Sequence, residues 1–98
     1  MDAKLKNIMN SKIDEVIRKS NEIHTITKSL ESLIDDEQRT AFGIALGRMY
    51  NAFYYQTRRI LKRDPTEQEF REFVGMLSTR AEEIKKALQL GEQYARHD

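Results

Sequence analysis

The 98-residue sequence has no cysteine and no tryptophan, a single proline and only four glycines. Without cysteine there can be no disulfide, no thiolate nucleophile and no zinc–thiolate site. No apolar run approaches the ~20 residues that a membrane-crossing helix requires. The first five residues, MDAKL, are charged and lack the apolar stretch of a signal peptide. The expectation is a cytoplasmic chain with no membrane partner. Histidine is scarce as well: His24 and His97 are the only two, and neither stands at ligand spacing with a carboxylate pair. No metal and no cofactor are expected, and His24 is read as a partly buried polar residue. Gly43 and Gly47 lack the Lys-Ser/Thr sequel of a phosphate-binding loop. No Ser or Thr has a recognisable base partner. The acidic clusters (Asp14 with Glu15; Asp35, Asp36 and Glu37; Glu82 with Glu83) read as solvated faces or helix caps.

What is present is a balance of apolar and charged residues, 39% and 34%, with a formal net charge of +1. That apolar share is enough to offset the entropy of ordering a chain, which a disordered sequence cannot do. The length fits one domain spanning 1–98, with a thin core. From 3 to 34 the apolar residues fall at spacings of three and four, and Met9, Val16, Ile23 and Leu30 recur every seven. This is a helical stripe. Ser20, Asn21, Thr25 and Thr27 are mediocre helix formers, so one long helix over about 3–34 with room for a bend near Ser20 to Thr27 is expected, and two shorter helices are the alternative.

Asp35 and Asp36 can cap the next helix, and Asp35 with Gln38 has capping-box spacing. The second helix is expected over 36–63. Phe42, Ala45, Leu46, Met49, Phe53, Gln56, Thr57 and Ile60 form one face, with Gly43, Gly47, Tyr50, Tyr54 and Leu61 beside it. So wide an apolar arc implies neighbours on more than one side. Each mid-helix glycine costs ~1 kcal/mol relative to alanine. Gly43 and Gly47 should therefore admit another helix backbone or an aromatic ring. Asp64-Pro65-Thr66-Glu67 marks the next start, with Asp64 as N-cap, Pro65 at the first helical position and Glu67 at capping-box spacing. Over 65–94 the residues Phe70, Phe73, Val74, Leu77, Ala81, Ile84 and Leu88 form a third stripe. Gly91 is placed to cap or weaken that helix, and a frayed tail is expected over 95–98.

Three helices of about thirty residues, each ~45 Å long, joined by short connections predict an all-α, up-down-up antiparallel three-helix bundle. Ile44, Tyr55, Met76, Leu90 and Tyr94 fall outside the stripes, which predicts that dimerisation completes or extends it. The expected helix–helix or dimer interface is Gly43, Ile44, Gly47, Tyr50 and Tyr54.

Charge is segregated along the chain. Residues 38–63 carry six basic and no acidic side chains, while 1–37 carry six against eight and 64–98 five against eight. A basic strip attracts phosphates even on a nearly neutral protein. Arg48, Arg58, Arg59, Lys62 and Arg63, with Tyr54 and Tyr55 one turn before Arg58 and Arg59, form a candidate nucleic-acid surface with rings for base stacking. The competing reading is that these arginines pair with carboxylates of the acidic neighbouring helices.

The opening LKNIMNSKIDEVIRK resembles the first helix of the small all-helical chorismate mutases, dimeric three-helix chains of similar length. At the level of fold the resemblance implies a dimeric helical chain. Mutase chemistry needs several Arg and Lys aimed inward at a dianionic substrate, whereas this stripe is apolar and Arg18 and Lys28 lie off its centre. The activity is therefore not expected. The sequence reads best as a non-enzymatic helical module that acts through self-association or a protein partner on its central helix, with nucleic-acid binding as the alternative.

Overall fold

A computed structural model of the chain describes residues 1–96, with side chains described through position 89. The described residues are helical and contain no strand. There are four α-helices: α1 (Ala3–Arg18), α2 (Ser20–Ser29), α3 (Glu37–Leu61) and α4 (Glu67–Arg96), with a 3-10 turn at Glu31–Leu33. The first expected helix is therefore two. Lys19 leaves helical geometry at φ −102° and ψ 24°, directly before the weak helix formers Ser20 and Asn21. Both pieces pack against both α3 and α4. The Met1 amine pairs with Glu72, and Arg80 of α4 reaches Asn10 O at 3.1 Å and Asp14 at 2.6 Å. These contacts set α1 and α4 parallel. Phe53 and Phe73 stack at 4.4 Å between antiparallel α3 and α4.

The helix ends correct the expected boundaries. Asp36, not Asp35, caps α3, accepting from the Arg39 amide at 3.0 Å. α3 stops at Leu61 because Lys62 turns left-handed at φ 60°. α4 starts two residues later than expected. Thr66 and Glu69 form the capping box: the Glu69 amide donates to the Thr66 hydroxyl at 3.1 Å, and the Thr66 amide donates to Glu69 Oε1 at 2.8 Å. Glu67 takes no part in it, and Asp64 is drawn off to Arg58. Thr66-x-x-Glu69 has the same spacing as the expected pair, and Pro65 keeps Asp64 extended just ahead of it. α4 runs through Gly91 to Arg96. The side chains of Leu90 and Tyr94 lie outside the described set, as do His97 and Asp98 of the expected tail.

One core joins Leu5, Met9, Ile13, Val16 and Ile23 to Ala41, Ala45, Met49 and Phe53, and to Phe73, Ile84 and Leu88. Gln56 and Thr57 are buried on the expected face, and the Thr57 hydroxyl donates to Phe53 O at 2.7 Å. The stripes do not bury uniformly. Leu30 leaves the helix for the 3-10 turn, the register is lost, and Leu33 is 82% exposed. Phe70 and Val74 lie at the rim of the α3–α4 seam, 37% and 43% exposed.

Candidate functional site

Helix α3 presents two flanks, and successive residues 100° apart distribute the candidate side chains between them. On the α4 flank stand Gly43, Gly47, Tyr50 and Tyr54. The Tyr50 and Tyr54 rings lie 5.1 Å apart, and Tyr50 meets Phe70 edge-on at 6.3 Å. A hydrogen bond to Tyr50 is the main cause that raises the Tyr54 phenol above its ordinary pKa of 10. Nothing lies within 4 Å of a Cβ built on Gly43 or Gly47, and both are exposed. Within the chain they admit neither a helix nor a ring, contrary to the sequence expectation. Ile44 points to the other flank and packs against the core, so the expected interface set is not one patch. Phe70 and Val74 of α4, both in the expected third stripe, are exposed, and Phe70 continues the surface of Tyr50.

On the α1 flank stand Arg48, Tyr55 and Arg59, and Lys62 follows at the left-handed end of the helix. Tyr55 is 63% exposed and lines a groove with Lys12, Glu15, Arg48, Asn51 and Gln56. Tyr54 and Tyr55, expected to act together, therefore face different ways.

The basic strip is largely neutralised. Arg48 lies 3.8 Å from Glu15 and 3.6 Å from Glu22. Arg58 binds Asp64 at 2.6 Å, which raises its pKa, and sits 5.6 Å from the Tyr54 ring centre. Arg63 grips Glu69 through both terminal nitrogens, at 2.7 and 3.2 Å. That pairing, with the Thr66 cap behind it, holds Glu69 down at about 2. Among the described residues Arg59 reaches only the neutral Gln56 amide oxygen, at 3.0 Å. Lys62 has no carboxylate partner among the described residues.

The carboxylates whose pKa is displaced (Glu15, Glu69, Glu72 and Glu83) all move downward, through bonds to Lys12, Arg63, the Met1 amine and Arg80 respectively. A general acid at neutral pH needs the opposite. Arg18 is exposed and Lys28 pairs with Glu31 at 2.9 Å, so neither reaches into the bundle. Among the described residues no group of three or more His, Cys, Asp or Glu could hold a metal ion, and no helix is long and apolar enough to cross a membrane. His24 lines a cavity of about 20 Å³ with Thr27, Glu37 and Lys85.

No protein-family model, curated protein or solved structure matches this chain.

Proposed function

We propose that the chain is a non-enzymatic interaction module: an up-down-up bundle with a bent first leg that self-associates through the α3–α4 flank. The observation that carries this reading is the set of exposed apolar side chains on the α3–α4 flank: Tyr50 meeting Phe70 edge-on, Val74 one turn beyond Phe70, and the open Gly43 and Gly47 on the same flank of α3 as Tyr50. Two open glycines one turn apart keep that flank low, so a second helix can approach closely, and the aromatic rings supply apolar area at its edge. The chain exposes 6568 Å², against about 5,800 Å² for a closed monomer of its mass. The elongated shape, 43 × 22 × 20 Å, accounts for part of the excess. Charge does not oppose pairing. Arg58, Asp64, Glu67 and Arg71 at one end of the strip, and Asp36, Arg39, Glu82 and Lys85 at the other, sum to zero at each end.

Light scattering at tens of micromolar tests the reading. The dimer mass is expected for the wild type. The monomer mass, with unchanged helicity, is expected for the Tyr50→Glu, Val74→Glu double variant. A wild type that stays monomeric removes the proposal.

A further inference from the structure

Two cations of the strip, Arg59 and Lys62, have no carboxylate partner among the described residues, and Tyr55 precedes Arg59 by one turn of α3. Tyr55 and Arg59 stand on the α1 flank, away from the self-association strip, and Lys62 follows where α3 ends, so what they do is independent of it. Tyr55 turns its ring outward, and among the described residues the Arg59 guanidinium touches only the Gln56 amide. The opposite wall of the groove is α1, where Lys12 stands beside Tyr55. Lys4, eleven residues before the groove residue Glu15 and so about 20° from it around that helix, is exposed and without an ion pair among the described residues. The one carboxylate in the groove, Glu15, is shared by Lys12, Lys19 and Arg48 at 3.4, 3.6 and 3.8 Å. Arg48 also meets Glu22 at 3.6 Å, so three cations stand around two carboxylates and the groove keeps a positive balance.

We infer that the α1–α3 groove is a single-stranded nucleic-acid site, in which Lys4, Lys12, Arg59 and Lys62 hold phosphates and Tyr55 stacks on a base. The choice of ligand follows from the ring. A cationic groove alone would serve any polyanion. An exposed aromatic face flanked by cations one turn away matches a chain that alternates phosphates with unstacked rings. A duplex conceals those faces, and α3, packed on α1, α2 and α4, is not free to enter its major groove.

The test is fluorescence anisotropy of the full chain with a labelled single strand of about 15 nucleotides and with the matching duplex. The wild type is expected to prefer the single strand. Four phosphates neutralised on a single strand give a salt slope near −3, so affinity should drop about 50-fold between about 50 and about 200 mM salt. Tyr55→Ala should weaken binding about tenfold. Arg59→Gln with Lys62→Gln should weaken it further and flatten the salt slope by about one to two. Circular dichroism serves as the folding control, and both sets of positions are exposed. The Tyr50→Glu, Val74→Glu variant, altered on the other flank, should bind like the wild type. No binding at low salt, equal affinity for the duplex, or an unchanged Tyr55→Ala variant would each overturn the assignment.

Discussion

Glu69 is almost fully buried at the head of α4 and accepts from Arg63 and from the Thr66 amide. Its folded pKa of about 2 lies below the ordinary 4.5. The sign follows: the folded state binds this proton less readily than the unfolded chain does. The stabilisation is therefore complete above pH 4.5 and is lost as pH falls from there through 2. Arg63 is half exposed, so solvent screens part of the pair. Glu69→Gln is expected to cost about 2 kcal/mol at pH 7, with the two proteins converging in urea titrations near pH 2. A difference that persists at pH 2 would contradict this role. At this scale the sequence was partly legible. The capping spacing was visible, but several acidic or hydroxyl residues near Pro65 satisfied it. The choice between them rested on Arg58 claiming Asp64 and Arg63 claiming Glu69.

At the scale of the helix, α3 and its cap carry two backbone costs, only the first of them offset in part, by the Lys62 amide donating to Arg58 O at 3.0 Å. Lys62 holds the left-handed conformation that glycine adopts freely, a strain of about 1 kcal/mol. Lys62→Gly should raise stability by about that amount in chemical denaturation while weakening oligonucleotide binding. Gly43 and Gly47 each cost about 1 kcal/mol against alanine, and the space around both is open. Gly43→Ala and Gly47→Ala are therefore expected to stabilise the dilute monomer and to weaken self-association. Gly75 of α4 is equally open but lies beside α1, in a groove with Lys6, Asn10 and Arg80. Gly75→Ala should stabilise the monomer and leave the mass at high concentration unchanged. Equal effects of all three substitutions on association would detach the glycines from the interface. Helix existence and type were legible from periodicity. The break at Lys19 was foreshadowed by poor helix formers, while its position depended on how α1 and α2 each settle on α3 and α4.

For the whole molecule, the two proposed surfaces lie on opposite flanks of one helix, and salt separates them. Phosphate binding releases counterions and weakens steeply with ionic strength. An apolar contact between α3–α4 flanks does not lose strength in this way. Sedimentation across a salt series should leave the dimer mass unchanged while oligonucleotide affinity falls. A dimer that dissociates with salt would instead point to charge pairing between copies. The dimer would also make the apparent stability rise with concentration, and a denaturation midpoint independent of concentration would oppose it.

The sequence by itself determined the all-helical class, the starts of α1, α3 and α4 to within two residues, the burial of Gln56 and Thr57, and the concentration of positive charge on and just after α3. These follow from one helix's own geometry, in which spacing alone decides which side chains share a face. Only the tertiary structure decided that Arg48, Arg58 and Arg63 are paired while Arg59 and Lys62 are not. It also decided that Tyr54 and Tyr55 serve different flanks, that Gly43 and Gly47 face open space, and that Phe70 and Val74 reach the rim. The physical reason is that pairing and burial belong to two elements at once. A stripe states which way a side chain points from its own axis, and the neighbouring helix, set by Phe53 on Phe73 and Arg80 on Asp14, determines what it meets there.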